Sequence, residues 1–253
     1  MNALLGTKNL CRYFGGVRAI HDLDIEVREG LIQSVIGPNG AGKTTLFNVI
    51  SGILPPTSGT IFYKDNPISG MEPHRIARLG LTRTFQNLQL FAEMTVLENV
   101  MVGMHLRSKG GFIASALKLP RVWKEERRIR DVSMEILQFT GLEEYAHLVA
   151  GSLPFGRQRV LEVARAMGAG PKLLMLDEPA AGLNNRETSD LSDLIGRIRK
   201  RGITILLVEH DMNLVMEISD RVTVLDQGQK IAEGDPETVR NDEKVLKAYL
   251  GEE

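Results

Sequence analysis

Three short, mostly apolar runs along the chain predict buried β-strands. They cover residues 33–36, 173–176 and 203–208, and each is followed at once by glycine, proline or charged residues. Short apolar runs with such ends are typical of strands that are covered on both faces. The polar residues that follow them are therefore candidates for a functional site.

Apolar residues with helical spacing follow the first of these runs and lie between the second and the third. From Thr44 onward, apolar residues recur at i, i+3 and i+4, and Gly52 supplies the expected stop of that helix. The second and third strands are separated by a helical pattern that ends in RKRG, with Gly202 just past its last turn. Its apolar positions are Leu191, Leu194, Ile195 and Ile198. Strands that alternate with helices predict a parallel sheet.

Other segments predict an antiparallel β layer and a helical region. Residues 23–27 alternate between apolar and polar positions, and residues 59–70 predict a hairpin that turns around Asp65-Asn66. Between about residues 87 and 169 the pattern becomes helical, and residues 124–141 carry apolar side chains on one face. We expect an α/β fold in which an antiparallel β layer lies beside the parallel sheet.

Composition and charge restrict the class of protein. The chain has 253 residues, of which 43% are hydrophobic and 25% charged, which is ordinary for a globular protein with a sizeable core. The net charge of −1 argues against nucleic-acid binding as the main activity, because affinity for a polyanion comes from many Lys and Arg contacts. The single cysteine, Cys11, cannot form an internal disulfide, and no apolar run approaches the length of about 18 residues expected of a membrane span.

A glycine-rich motif lies between the first strand and the helix that follows it. The motif is a full match to G-x-x-x-x-G-K-[ST], and its residues are Gly37, Pro38, Asn39, Gly40, Ala41, Gly42, Lys43 and Thr44, followed by Thr45. A loop that wraps a polyphosphate needs its backbone N–H groups turned inward and no side chains in the way. The motif predicts that Lys43 reaches the β/γ-phosphate oxygens of a nucleotide and that Thr44 ligates Mg²⁺.

Acidic residues follow the second apolar run, and a histidine follows the third. In an open α/β sheet, ligands bind at the carboxyl ends of the strands, which places Asp177 to hold Mg²⁺ and Glu178 to polarise a water at the γ-phosphate. His210 ends a strand that we expect in the same sheet, so its imidazole is a candidate contact for the γ-phosphate and the attacking water. The alternatives are that these acids only cap a helix and that the histidine is structural.

With these elements in order, the sequence resembles the ATP-binding cassette of transporters over almost its entire length. The resemblance implies a P-loop NTPase (RecA-like) core, formed by about residues 1–86 and 170–253 together with an antiparallel β subdomain, and a helical subdomain at 87–169, all within a single ATPase domain of residues 1–253. It implies that residues 37–45 bind ATP and that Gln86, in TRTFQNLQLF, contacts Mg²⁺, water and a membrane subunit. It also implies an aromatic side chain stacked on adenine, for which Phe14 and the adjacent Tyr13 both remain candidates.

The family signature, usually Leu-Ser-Gly-Gly-Gln, corresponds here to the start of residues 152–167. Leu153 and Gly156 match it, whereas Pro154 replaces the serine and can donate no hydrogen bond. The resemblance implies that this segment binds the ATP held by a second ATPase subunit, and we expect Ser152 to serve as the N-cap of the helix. An ordinary core helix is the alternative interpretation.

The closest resemblance is to the branched-chain amino-acid group of these ATPases. It is carried by RTFQNLQLF, a long insert around residues 106–124, DEPAAGLN, EHDMNLVM and the ending LKAYLGEE. It implies the cofactors ATP and Mg²⁺, a second ATPase subunit that is a relative or a copy of this chain, two membrane permeases, a solute-binding protein and a location at the cytoplasmic face of the membrane. Two alternatives are a soluble cassette ATPase acting on nucleic acid or the ribosome and a P-loop kinase or GTPase.

Overall fold

The computed structural model describes residues 3–107 and 120–250, and the chain divides into two units. We call Met1–Arg83 with Lys172–Glu253 the sheet unit and Thr84–Pro171 the helical unit. Residues 108–119, which form most of the insert expected around 106–124, lie outside the described residues, as do the last three residues of LKAYLGEE.

The β-strands form two sheets, both in the sheet unit. In chain order they are β1 (Ala3–Phe14), β2 (Val17–Leu23), β3 (Glu26–Arg28), β4 (Ile32–Ile36), β5 (Ser58–Tyr63), β6 (Asn66–Pro67), β7 (Leu81–Arg83), β8 (Leu173–Asp177), β9 (Thr204–Val208), β10 (Arg221–Asp226) and β11 (Gln229–Gly234). The larger sheet has the order β11-β10-β4-β9-β8-β7, and the smaller has the order β2-β1-β5-β6 with β3 paired to β1.

The larger sheet is parallel from β10 to β7, as the alternation of strands and helices predicts. Every residue of β4, β8 and β9 is buried, which explains their nearly continuous apolar sequence. Because the strands are parallel, the segments that follow β4, β8 and β9 emerge at the same edge of the sheet. The sequence-predicted site residues of the sheet unit come from these segments, apart from Phe14.

The smaller sheet is antiparallel, again as predicted. Its hairpin turns one residue earlier than expected: Lys64 and Asp65, and not Asp65-Asn66, carry the positive φ angles of 49° and 62°. A two-residue turn with positive φ at both positions matches the twist of the flanking strands, so Asn66 is already the first residue of β6. Both sheets contribute to one hydrophobic core, in which Phe47, Leu5 and Leu206 are fully buried.

The helices of the described chain cover both units. They are α1 (Lys43–Ile50), α2 (Pro73–Arg78), α3 (Val96–Gly103), α4 (Pro120–Thr140), α5 (Phe155–Gly168), α6 (Asn185–Lys200), α7 (Met212–Ile218), α8 (Pro236–Arg240) and α9 (Glu243–Leu250). The predicted apolar positions of α6 are all buried, and Gly202 lies just past its end with φ of 81°. Within residues 3–107 and 120–250, no helix has both the length and the apolar character that crossing a bilayer requires.

The helical unit is built around α3, α4 and α5. The predicted apolar face of α4 is partly confirmed, because Ile136 and Leu137 are buried whereas Ile129 and Val132 are only half-buried. α3 begins with a reciprocal cap between Thr95 and Glu98, a favourable arrangement for a helix start.

Candidate functional site

The loop between β4 and α1 can only be built with glycine at two of its positions. Gly37 and Gly42 have positive φ angles of 149° and 101°. A Cβ atom on Gly37 would lie 2.0 Å from the carbonyl oxygen of Leu225, and one on Gly42 would lie 2.4 Å from the carbonyl oxygen of Ala19. The loop is therefore pressed against neighbouring backbone, and any side chain at these positions would displace it.

The N-terminus of α1 has no side-chain cap. Gly42 is its N-cap residue, in the left-handed conformation, and offers no side-chain acceptor to the first-turn amides of residues 43–45. Uncapped N–H groups and the positive end of the helix dipole together favour an anion at this position. This geometry suits a phosphate group.

Lys43 lies across the loop that precedes it. Its Nζ donates hydrogen bonds to the carbonyl oxygens of Gly37 at 2.6 Å and Pro38 at 2.9 Å, and the side chain is buried. Burial lowers the pKa of the Lys43 amine, and the negative charges of Glu178 and Asp177 act against that shift. An ammonium group has three donors, so two bonds to the loop leave one for a ligand.

The two acidic residues at the end of β8 have different surroundings. Asp177 is the last residue of the strand, and its Oδ2 accepts a hydrogen bond from Arg83 Nη2 at 2.6 Å, with both side chains buried. Glu178 follows with a positive φ of 49°, uncommon for a residue other than glycine, and its Oε1 lies 2.7 Å from His210 Nε2. The structure therefore brings Glu178 and His210 together, as expected from two strands of one sheet.

Glu209 holds the segment that carries His210, a role that the sequence did not reveal. The Glu209 carboxylate is buried and accepts the backbone N–H groups of Ala180 at 2.8 Å and His210 at 2.9 Å. It thereby ties the residues after β8 to those after β9. The sequence signal for this role is the position of Glu209 directly after an apolar run, which Asp177 shares.

The candidate adenine-stacking residues differ in accessibility. Phe14 is 42% exposed, and the guanidinium of Arg12 lies over its ring at 4.6 Å. Tyr13 is half-buried, and its hydroxyl is 2.9 Å from Nδ1 of His21. The ring of Phe14 is therefore the more accessible of the two.

The remaining predicted residues, Gln86, Leu153 and Gly156, belong to the helical unit. Gln86 is held through its backbone, because its carbonyl oxygen accepts a hydrogen bond from Arg159 Nη2 at 2.9 Å. The preceding residue, Phe85, donates its N–H to the buried carboxylate of Glu162 at 3.3 Å. Both anchoring residues lie on α5.

The expectation that Ser152 caps the signature helix is wrong. α5 begins at Phe155 with Pro154 as its N-cap residue, and the Ser152 hydroxyl instead donates to the carbonyl oxygen of Val149 at 2.7 Å. Residues Ala150–Ser152 form a separate 3₁₀ turn, so Ser152 ends one element and cannot begin the next. Leu153 and Gly156 are buried, and α5 begins without a side-chain cap.

The candidate magnesium ligands fit a hard cation. Thr44 offers a hydroxyl oxygen and Asp177 a carboxylate, and Mg²⁺ prefers oxygen ligands of these kinds. Gln86, in the helical unit, stays a predicted ligand. Thr44 is exposed in the first turn of α1, where a metal could bind it together with a phosphate group. The residues present thus suit the ion that the motif predicts.

Two further residues near the loop were missed by sequence reasoning. Arg83 lies at the end of a three-residue strand, in the segment TRTFQNLQLF, from which the sequence predicts only Gln86 as a site residue. Burial raises the pKa of the Tyr249 phenol, on α9, while the backbone of Gly37 acts on the same phenol and lowers that pKa. Neither contact has a local sequence signal, because each partner lies far away along the chain.

A parallel sheet with a glycine-rich phosphate loop after one strand and acidic residues after another defines a P-loop nucleoside triphosphatase. Residues 20–181 match the family model described as "ABC transporter", and residues 229–253 match that described as "Branched-chain amino acid ATP-binding cassette transporter". The chain belongs to the ABC transporter ATP-binding family. It is an ATPase of that class, and the predicted fold class is confirmed.

Several curated proteins are similar to this chain over nearly its whole length. It is 46% identical to the high-affinity branched-chain amino acid transport ATP-binding protein BraF of Pseudomonas aeruginosa, over 98% of each chain. It is 47% identical to the protein of the same description named LivG in Escherichia coli K12, again over 98% of each chain. Nothing in these comparisons supports the alternative of a cassette that acts on nucleic acid or the ribosome.

Solved structures of ABC cassettes have the same fold. A crystal structure of the ADP conformation of an ATP-binding cassette of an ABC transporter has a TM-score of 0.87 at 34% identity, covering all of both chains. A nucleotide-free cassette has a TM-score of 0.86 at 34% identity, covering 99% of this chain and 100% of that one. The chain therefore binds ATP, and as an ABC transporter ATPase it works with membrane permeases.

Proposed function

We propose that this chain hydrolyses ATP to power the transport of branched-chain amino acids through separate membrane subunits. The observation that carries the proposal is the identity of 46–47% over 98% of the chain to ATP-binding proteins described for that transport. The branched-chain family model that matches residues 229–253 supports it independently of the nucleotide-binding motifs. As one ATPase domain of residues 1–253, the chain would lie at the cytoplasmic face of the membrane.

Nucleotide binding is assigned to the loop and the residues around it. The amides of residues 37–45 and the Lys43 ammonium hold the phosphates, and the accessible ring of Phe14 stacks on the adenine. Thr44 and Asp177 are the residues of the sheet unit that would hold Mg²⁺, and the contact of Gln86 with the ion stays a prediction from the sequence. When bound, the ion neutralises negative charge on the β- and γ-phosphate oxygens.

Hydrolysis is assigned to Glu178, with His210 as its partner. The Glu178 carboxylate accepts a proton from the attacking water, and a carboxylate at the carboxyl edge of the sheet is suited to that task. His210 Nε2, 2.7 Å from Oε1, orients this carboxylate and remains about half exposed, so it can also contact the γ-phosphate. Glu209 holds the His210 backbone in place. The contact of Gln86 with the attacking water stays a prediction from the sequence.

The site is completed by a second ATPase subunit, either a copy or a relative of this chain. We assign Leu153, Gly156 and the uncapped start of α5 to the ATP of that partner, because free helix N-terminal amides favour a phosphate. Pro154 fits this position, since an N-cap residue need not donate its own amide hydrogen. A solute-binding protein outside the cell would deliver the amino acid to the permeases.

A cavity beside Gln86 is our candidate surface for a permease. It has a volume of about 500 Å³ and is lined by Phe85, Gln89, Leu90, Phe91 and Arg165, all in the helical unit. Phe85 and Phe91 are 37% and 46% exposed, and exposed aromatic side chains around a concave surface are typical of protein interfaces.

Replacing Phe91 by serine tests this surface. We expect the variant to retain ATP binding but to bind detergent-solubilised permeases about tenfold or more weakly. Truncating an aromatic side chain at the centre of an interface commonly reduces binding affinity by that factor. The measurement is a pull-down titration with tagged permease. Trp123→Ser is the matched control, since Trp123 is an exposed aromatic residue of the same unit that does not line the cavity. Equal losses for both variants would contradict the assignment.

Reconstituted transport tests the proposed cargo. The chain is combined with its permeases, its partner ATPase and the solute-binding protein in vesicles that enclose ATP, and uptake of radiolabelled leucine is measured. We expect uptake that requires ATP and is competed by isoleucine and valine but not by glutamate. ATP hydrolysis without uptake of any of the three branched-chain amino acids would overturn the proposal. Co-purification of the chain with nucleic acid in place of permeases would favour a soluble cassette ATPase that acts on nucleic acid or the ribosome.

A further inference from the structure

Arg83 connects the acid at the end of β8 to the helix that follows the phosphate loop. Its Nη2 donates to Asp177 Oδ2 at 2.6 Å, and its Nη1 donates to Asn48 Oδ1 at 2.7 Å and to Ser51 Oγ at 3.1 Å. Its guanidinium also lies over the ring of Phe47, 5.4 Å from the centroid. We propose that Arg83 is a positioning residue that sets Asp177 for the magnesium nucleotide. This inference rests on the proposed role of Asp177.

The contacts of Arg83 fix the position of one carboxylate oxygen relative to α1. Asn48 and Ser51 lie at the end of α1, whose first turn carries Lys43 and Thr44. The Arg83 guanidinium thus connects the C-terminal end of β8 to the helix that carries the proposed phosphate-binding residues. By occupying Oδ2, the guanidinium determines the direction in which the second oxygen of Asp177 faces.

Only arginine can make this set of contacts with one side chain. Its donors are held in a rigid fork, whereas the ammonium of lysine is a compact point charge on a flexible stem. A lysine at position 83 would keep the charge opposite Asp177 but could not reproduce both arms of the fork. Arg83→Lys therefore tests the positive charge at position 83 separately from the geometry of the forked contacts.

Charge balance gives Arg83 a second effect on the site. The Asp177 side chain is only 2% exposed, and a buried carboxylate that loses its cation is strongly destabilised. Lys43 already experiences the charges of Asp177 and Glu178. Without Arg83, the attraction between Asp177 and Lys43 would be uncompensated, and the lysine would be drawn away from the phosphates. Arg83 thus leaves Lys43 available to the nucleotide.

The experiment measures how much Mg²⁺ strengthens ATP binding in the whole chain. Affinity for ATP is determined by calorimetry in EDTA and at saturating Mg²⁺, with thermal unfolding recorded for each protein and with Glu178→Gln present throughout to prevent hydrolysis. The variants are Arg83→Met, Arg83→Lys and Asn48→Ala. The matched control is Arg199→Met, which removes an arginine that pairs with Asp220 at 2.7 Å in the same unit.

The gain is the factor by which Mg²⁺ increases the affinity for ATP. We expect this factor to be about tenfold or more smaller in Arg83→Met, as is typical when the residue that orients a metal-binding group is removed. Arg83→Lys should recover part of the gain, and Asn48→Ala should lose a smaller part of it because the ion pair remains. Arg199→Met should keep the full gain. A purely structural role for Arg83 would lower the unfolding temperature but leave the gain unchanged.

A wild-type gain in Arg83→Met, at any unfolding temperature, would overturn the inference. If Arg83→Met does not fold, the test uses Arg83→Lys. A wild-type increase of ATP affinity by Mg²⁺ in Arg83→Lys would then overturn the inference. Failure of the proposed function has a different result: the parent protein itself would then show no Mg²⁺-dependent gain in ATP affinity.

Discussion

Replacing Glu178 by glutamine is expected to lower the rate of ATP hydrolysis by about 10²- to 10⁴-fold, the usual contribution of a general base. The amide has nearly the same shape as the carboxylate and can still contact His210, which lies 2.7 Å from Oε1. It cannot accept the proton of the attacking water. ATP affinity should remain within about threefold of wild type, because no phosphate contact is assigned to Glu178. The measurement is phosphate release by the purified chain over a range of protein concentrations.

The control for this substitution is Glu187→Gln. Glu187 caps the start of α6 in the same unit, and glutamine can replace glutamate in such a cap. We expect its hydrolysis rate to equal that of wild type. A Glu178→Gln protein that hydrolyses ATP within threefold of the wild-type rate would show that another group activates the water.

Replacing Lys43 by methionine is expected to weaken ATP binding about 10²-fold. The loss corresponds to about 3 kcal/mol, the upper range for hydrogen bonds to a charged group. The variant also leaves the carbonyl oxygens of Gly37 and Pro38 without the donor that now crosses the loop. Methionine keeps the length of the stem, so the change is chiefly the loss of the ammonium. Equilibrium titration with ATP in the presence of Mg²⁺ measures the effect.

Lys64→Met is the matched control for the lysine substitution. Lys64 is an exposed residue of the hairpin turn, outside the proposed phosphate site. Its removal should leave ATP affinity unchanged. An affinity in Lys43→Met within threefold of wild type would contradict the assignment of the loop as the phosphate site.

The strands and the phosphate loop were predictable because their signals are local. The apolar runs at 173–176 and 203–208 became β8 and β9 with boundaries shifted by one residue. The glycines of the loop were expected because side chains would obstruct a phosphate, and the structure adds a second reason, since a Cβ atom at Gly37 or Gly42 would meet neighbouring backbone. In these segments the residue pattern, the local geometry and the burial agree.

The supporting contacts were not predictable because they join distant parts of the chain. Arg83 and Asp177 are separated by 94 positions, and Glu209 binds the amide of Ala180 at a separation of 29. Periodicity indicates which face of a strand is buried, but not which long side chain reaches a given carboxylate. Such contacts depend on the order of strands in the sheet, which puts β7 beside β8 and β8 beside β9.

The wrong expectation at Ser152 has a different physical cause. Serine before a helical pattern is a good N-cap signal, but here the backbone of Ala150–Ser152 already forms a turn that uses the hydroxyl locally. Pro154 then takes the N-cap position, because its fixed φ near −55° suits an extended residue before a helix. Competition between two adjacent elements for one hydroxyl cannot be judged from residue type alone.

A single-turnover experiment tests most directly whether one site both binds ATP and hydrolyses it at Glu178. Purified chain, in excess over the nucleotide and at concentrations at which two copies can pair, is mixed with radiolabelled ATP and Mg²⁺. The nucleotide bound to the protein is separated and identified after acid quenching. We predict that the wild-type chain converts its ATP to ADP, whereas Glu178→Gln retains a similar amount of nucleotide as unreacted ATP. Finding ADP on Glu178→Gln at the wild-type rate, or no bound nucleotide on either protein, would contradict the account.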